Sequence, residues 1–346
     1  MRHHLYFMDA MRQRALGALA GLAIGDALGM PTQLLPRQKI LQLFPTLDNF
    51  ADGPPENEIS AGQLAGSVTD DTQQALIIAR LLIAGNGHID TSQFIAQLLA
   101  WSREAEANGS EQLGPSSRRA LEAIQQGLPI EQAGRRGDTN GAAMRIAPVG
   151  IAVPPAPLEA LIDLVEDVCR PTHFTGLGIA GAAAVAAAIS AGVSGATFSE
   201  ALPIARQAAR LGQQRGNYSP GASIGERLVW AVDLVSQLDE SSALDAIYDL
   251  IGTGVAMQEA VPAAFALASL WPDDPWQACL AAAHLGGDSD TIGAITGAIL
   301  GACCGIEAFP PQAISTIERV NKLDLHALST PLLAVRATIS TAPSTS

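Results

Sequence analysis

The chain has 346 residues, 48% of them hydrophobic and 16% charged, which excludes a disordered chain and points to a large core. A formal net charge of −14 leaves no face basic enough to displace counterions from phosphates, which excludes general nucleic-acid or anionic-membrane binding. Four cysteines without a CxxC pair exclude a disulfide scaffold and a zinc module, and read as small core residues in a reducing compartment.

In chain order, the N-terminal stretch MRHHLYFMDAMRQR is basic but lacks an apolar h-region, so it is not a secretory signal, and residues 1–10 read as a flexible leader. Apolar periodicity then predicts helices over Met11–Met30, Thr72–Ala84, Thr91–Ala107, Ser116–Gln126, Leu158–Val168, Gly176–Ser190 and Phe198–Leu211. It continues over Ser223–Leu238, Ser241–Ile251, Val261–Leu270, Pro275–His284, Thr291–Cys304 and Pro311–Val320. No alternating β-branched run bounded by NG or DG turns competes, so the class is all-α, in a single domain over 11–340 with a flexible tail at 341–346. About sixty alanines favour helices that approach one another closely through thin side chains. The run Gly176–Val193 has the length of a membrane span, but its Ala and Gly content predicts a central buried helix and a cytoplasmic protein with no membrane partner. Loops over Asp52–Val68, Asn108–Pro115, Gly134–Gly150 and Gly212–Gly221 are longer than bundle connections need, which makes them candidate walls of a site.

Two acidic clusters stand out. Ser67-Val68-Thr69-Asp70-Asp71-Thr72 precedes one predicted helix, and Gly286-Gly287-Asp288-Ser289-Asp290-Thr291 opens another. Helix starts favour acidic residues, and Thr can cap, so either cluster alone has an ordinary explanation. Together they are the same chemical object twice, a Thr hydroxyl and two carboxylates on a first turn. If both faced one point, each like-charged pair about 4 Å apart would cost about 4 kcal/mol at an effective dielectric near 20, and cations would be required. Oxygen ligands from Asp and Thr select magnesium, manganese or calcium over zinc, and four carboxylates suffice for two divalent ions. The Asp288-x-Asp290 pair is not a dehalogenase-type phosphatase motif, because a helix tail ended by two glycines precedes it where that motif needs a buried strand.

These residues resemble the ADP-ribosylglycohydrolase family along nearly the whole chain. The stretch Gly17 to Gly29 looks like the family's N-terminal helix, Thr69-Asp70-Asp71-Thr72-Gln73 like its first metal motif, and Gly287-Asp288-Ser289-Asp290-Thr291 like its second. The resemblance implies an orthogonal multi-helix bundle with a dinuclear metal cleft, two Mg²⁺ or Mn²⁺ ions held by Thr69, Asp70, Asp71, Asp288, Asp290 and Thr291, and catalytic roles for Asp70, Asp71 and Asp288. Asn140-Gly141-Ala142-Ala143-Met144-Arg145 resembles the family's Asn-Gly turn, which implies substrate contacts from Asn140, Gly141, Ala142 and Met144. His173 matches a histidine near the ligand. The implied activity is hydrolysis of the glycosidic bond at C1 of a ribose in an ADP-ribosyl or related ribosyl compound.

Departures from the family pattern bear on the substrate. Gln33 stands where members that act on ADP-ribosylated proteins commonly carry Glu, and an amide cannot serve as a carboxylate base or acid. Glu106, Glu111 and Glu259 are candidate replacements. His284 stands where many members have Asn, which makes it a further substrate-contact candidate beside Gln33, and Thr139 replaces a glycine. The Gly114-Pro115-Ser116-Ser117-Arg118-Arg119 tract resembles a helix start of some family branches whose hydroxyls and amides could meet a substrate phosphate or hydroxyl, but reads first as a capped surface helix, and Asp26 reads as a buried hydrogen-bonding aspartate that holds a neighbouring loop. Two alternatives stay open: a hydrolase of small nucleoside-like ribosides, and a non-catalytic ADP-ribose or nucleotide binder.

Overall fold

The computed structural model describes residues 2–109 and 113–341, with side chains from residue 7 onward; the tail beyond Thr341 lies outside the described residues. Eighteen α-helices follow one another without a strand among these residues: α1 Arg2–Gly29, α2 Arg37–Leu43, α3 Asp70–Ala84, α4 Thr91–Ala107, α5 Pro115–Gln125, α6 Ile130–Ala133, α7 Gly141–Met144, α8 Ala147–Ala152 and α9 Leu158–Cys169. The second half comprises α10 Gly176–Val193, α11 Phe198–Gly212, α12 Ile224–Ser236, α13 Glu240–Ala246, α14 Met257–Leu270, α15 Pro275–Leu285, α16 Ser289–Cys304, α17 Pro311–Asn321 and α18 His326–Thr341.

The all-α class and most predicted helices agree with the sequence, and the differences have local causes. Helix α1 starts at Arg2, so residues 2–10 continue the helix that the sequence predicts from Met11. Helix α18 carries Pro331 in its first half and a Ser/Thr-rich composition, both weak helix signals. It is held instead by tertiary contacts: the buried Arg336 guanidinium donates to the carbonyls of Gly150, Ile151, Val153 and Ser190 and to the hydroxyls of Ser190 and Ser194. The loop expected over Gly134–Gly150 contains two short helices, α7 and the start of α8.

The core is built on helices with no polar face, which must be buried all round. Every residue of α10 is buried, as is α1 from Ala15 to its end. Two segments are long and apolar enough to cross a membrane, Phe7–Thr32 and Gly176–Val193; the most apolar eighteen-residue stretch of the first and all of the second are buried inside the fold. Against α1 runs α16, antiparallel and in backbone contact. A Cβ on Gly17 would lie 2.3 Å from the Gly301 carbonyl oxygen, on Gly21 2.1 Å from that of Gly297, and on Gly25 1.9 Å from that of Gly293. Four-residue spacing on both helices therefore lets the two axes touch, as the alanine- and glycine-rich composition leads one to expect. This contact brings the end of α1, with Asp26, beside the start of α16, with Asp288 and Asp290.

Candidate metal centre and cleft

Four helix ends meet at the base of one cleft. Thr69 is the N-cap of α3 and accepts from the Asp71 amide, so Asp70 and Asp71 form the first turn. Asp288 occupies the N-cap position of α16, yet its side chain makes no capping bond. Its Oδ2 instead accepts from Asn140 Nδ2 at 2.5 Å, across to the start of α7. An aspartate that forgoes its local cap to face a remote helix is not explained by helix-end preference. Gly286 and Gly287 produce this orientation: both have positive φ (77° and 64°), which only glycine adopts without strain, and a Cβ on Gly287 would lie 2.3 Å from the Thr253 carbonyl oxygen. That carbonyl accepts from the Asp288 amide at 2.7 Å.

Thr69, Asp70, Asp71, Asp288, Asp290 and Thr291 all line the cleft, which spans about 790 Å³ counted out into open solvent. Behind them lies Asp26, fully buried, which accepts from the amides of Thr69 and Thr72 and from both hydroxyls, the latter each at 2.6 Å. Asp26 thus holds the start of α3, as the sequence suggests. It also belongs to the acidic centre itself, since Asp26, Asp71 and Asp290 each bring a carboxylate oxygen within 4.8 Å of the others. The one carboxylate in an otherwise apolar helix segment is the sequence signal for that second role.

Hydrogen counting shows that these groups fit a cation. Thr69 Oγ1 has one hydrogen and three carboxylate neighbours: Asp26 Oδ1 at 2.6 Å, Asp71 Oδ2 at 3.0 Å and Asp290 Oδ2 at 3.3 Å. The shortest contact takes the hydrogen, and the other two oxygens face an oxygen lone pair. Asp71 Oδ1 and Asp290 Oδ1 are buried with no hydrogen-bond partner. Buried carboxylate oxygens left without donors are strongly unfavourable unless positive charge is supplied, and an all-oxygen donor set suits a hard divalent ion.

The same crowding shifts the carboxylates. Burial and the neighbouring carboxylates Asp26 and Asp288 push Asp70 up to about 8. Burial raises Asp26 to about 6 against its threonine hydrogen bonds, and burial with the other aspartates raises Asp71 and Asp290 well above the ordinary range. A carboxylate with a raised folded-state pKa leaves the protein more stable where it is protonated, so metal-free stability falls as pH rises from about 4 through about 8. Protons and ion compete for the same oxygens. The gain in Tm on adding Mn²⁺ to chelator-treated protein is therefore expected to be larger at pH 8 than at pH 5, as differential scanning fluorimetry would show. An equal gain at both pH values would contradict this account.

Of the expected substrate contacts, Gln33, Asn140, Gly141, Met144 and His173 line the cleft. Ala142 does not; it is fully buried behind the wall. His284 does not either. It ends α15, and its Nε2 meets the Leu47 carbonyl at 3.0 Å, outside the cleft. Among the described residues, neither Glu106 nor Glu259 replaces the family Glu. Glu106 lines a different cavity, Glu259 accepts from the Gly254 amide at 2.9 Å, and Glu111 lies outside the described residues. Leu34, Ile59, Leu113 and Val255 add an apolar rim that no sequence motif announced, and Ser117 joins the wall from the first turn of α5.

The family model for ADP-ribosylglycohydrolase matches residues 8–341. The Escherichia coli (strain K12) protein YegU is 38% identical over 325 residues, which span 94% of this chain and 97% of that protein. The ADP-ribosyl-[dinitrogen reductase] glycohydrolase of Rhodospirillum rubrum is 25% identical, with 94% and 97% of the two chains covered. Among solved structures, an ADP-ribosylglycohydrolase-related protein complex superposes with a TM-score of 0.70 at 26% identity, covering 94% of this chain and 99% of that one.

Proposed function

Because the chain belongs to the ADP-ribosylglycohydrolase family and is an enzyme of that hydrolytic type, we propose that it cleaves the glycosidic bond at C1 of a ribose in an ADP-ribosyl or related ribosyl compound. We assign two divalent cations, Mg²⁺ or Mn²⁺, to Thr69, Asp70, Asp71, Asp288, Asp290 and Thr291. The observation that carries this reading is the convergence of those six residues on one cleft, with two buried carboxylate oxygens left without donors. Bound there, divalent cations supply Lewis acidity toward sugar hydroxyls and water. Asp70, the most exposed of the cluster's carboxylates, accepts the proton of the attacking water at a carboxylate oxygen, and the leaving group takes its proton from solvent water as the bond to C1 breaks. Asp71 and Asp288 offer negative charge to the positive character that develops at the anomeric carbon. Asn140, fixed by its bond to Asp288, and the backbone of Gly141 orient the sugar and phosphate portion. The unpaired Cys169, Cys279, Cys303 and Cys304 suit a reducing compartment, and we place the protein in the cytoplasm.

A second reading is favoured by the wall itself. Gln33, only 7% exposed, presents an amide where proton transfer to a leaving group would need a carboxyl, and among the described residues no aromatic, Lys or Arg side chain lines the cleft. Small ribosides whose leaving groups depart with little protein assistance fit such a wall. Purified protein with Mn²⁺ is to be assayed on ADP-ribosyl-arginine, ADP-ribosyl-serine peptide and a panel of free ribosides. Metal-dependent release from the ADP-ribosyl compounds supports the first reading, and release from free ribosides alone supports the second. Tight ADP-ribose binding without turnover on any compound would make the protein a binder and overturn both.

A further inference from the structure

We propose that Arg145, through Thr172, locks His173 as a neutral imidazole with its proton on Nε2, so that His173 is a hydrogen-bond donor to the ligand and never a general base. This rests on the cleft being a ligand site, as proposed above, but the proton arrangement follows from bonds within the chain. Arg145 is fully buried over the Phe94 ring, one guanidinium nitrogen donating to Gln74 Oε1 at 2.9 Å and another to Thr172 Oγ1 at 2.6 Å. A guanidinium only donates, so Thr172 Oγ1 accepts there. The Thr172 hydroxyl hydrogen then has one acceptor in reach, His173 Nδ1 at 2.7 Å. On the far side of the ring, the Thr139 hydroxyl spends its hydrogen on Ser116 Oγ at 2.7 Å and has only lone pairs to offer His173 Nε2 at 3.3 Å.

The direction of this chain decides the tautomer. With the proton on Nε2, each link from Arg145 through Thr172 and His173 to Thr139 and on to Ser116 joins a donor to an acceptor, while Arg145 Nε stays unpartnered outside this chain. With the proton on Nδ1, the Thr172 hydrogen and the Nε2 lone pair are both stranded in a buried site. Burial, with Arg145 and Arg119 nearby, also holds His173 well below the usual histidine range. Gly141 completes the device: a Cβ there would lie 2.9 Å from His173 Cε1, so only glycine lets the turn backbone lie against the ring. The ring is fully buried at the cleft wall, and the long 3.3 Å bond to Thr139 is the link that a ligand oxygen must displace to take the Nε2 hydrogen. Arg145 and Thr172 are thus positioning residues, and proton transfer at this site falls to the carboxylates.

Long-range ¹H–¹⁵N spectra of the histidine rings, with the His173 signals assigned by loss in His173→Gln, read the tautomer directly. Wild-type protein should show a protonated Nε2 and a bare Nδ1. Thr172→Val should shift His173 toward the other tautomer and weaken ADP-ribose binding about tenfold, the size expected for a lost or misdirected hydrogen bond. Thr172→Ser should restore both. Arg145→Met is expected to act in the same direction, and Thr172→Val carries the test if that variant fails to fold. A wild-type ring protonated on Nδ1 or on both nitrogens, or a spectrum unchanged in Thr172→Val, would overturn the proposal. The spectra need no turnover, so a protein inactive on every riboside still reports on this inference.

Discussion

Asp70→Ala and Asp288→Ala are each expected to lower metal-dependent turnover by on the order of 10³-fold or more while leaving the metal-free protein folded. The two sides of this expectation come from the same geometry. Each carboxylate lines the cleft, and neither is needed to cap its helix: Thr69 caps α3, and Asp288 makes no capping bond. Removing Asp70 also removes one charge from a group whose members repel one another and are raised by that repulsion. Metal-free Asp70→Ala should therefore melt no lower than metal-free wild type, and should lose most of the Tm gain that Mn²⁺ gives. Asp288→Ala releases the Asn140 side-chain amide from its hydrogen bond and should cost a little stability, about 1 kcal/mol. Turnover assays and paired melting curves with and without Mn²⁺ check both parts. Turnover within tenfold of wild type in both variants would remove the acidic centre from the chemistry.

The acidic centre was legible in the sequence because its residues come from helix starts, where a local motif sets the geometry. Thr69-Asp70-Asp71 and Asp288-Ser289-Asp290-Thr291 fold as first turns, and the twin pattern signals convergence before any coordinate is known. Asp26 was harder to read, since its role depends on which helix end lies opposite it, and only the glycine contact between α1 and α16 decides that. His284 illustrates the converse. Its place where many family members carry Asn marks it as a cleft residue, yet two glycines with positive φ turn the chain between His284 and Asp288, and the ring faces the Leu47 loop. The apolar rim of Leu34, Ile59 and Val255 comes from three segments far apart in the chain, and single exposed apolar residues carry no signal of their own. Helix α18 was hidden for a different reason: its stability comes from one buried guanidinium and six acceptors on other segments, which no local propensity reports.

Gly25→Ala should be strongly destabilising, although it adds a single methyl group. The new Cβ would lie 1.9 Å from the Gly293 carbonyl oxygen and 2.4 Å from its carbon, both backbone atoms that cannot rotate away. Relief requires α1 and α16 to separate by more than an ångström, and both helices are buried on every side at this level. The overpacking is expected to cost about 3 kcal/mol or more, a fall in Tm on the order of 10 °C. Function is coupled to the same movement. Asp26 follows Gly25 directly and donates nothing, so its grip on Thr69 and Thr72 depends on where α1 stands against α16. A shift there pulls Asp26 and Thr69 away from Asp290 and loosens the oxygen cage as a unit. Mn²⁺ affinity in Gly25→Ala, measured by calorimetry below its lowered Tm, should therefore fall along with stability. An unchanged Tm would mean that the two backbones do not touch, and an unchanged affinity would mean that the helix contact does not set the spacing of the metal ligands.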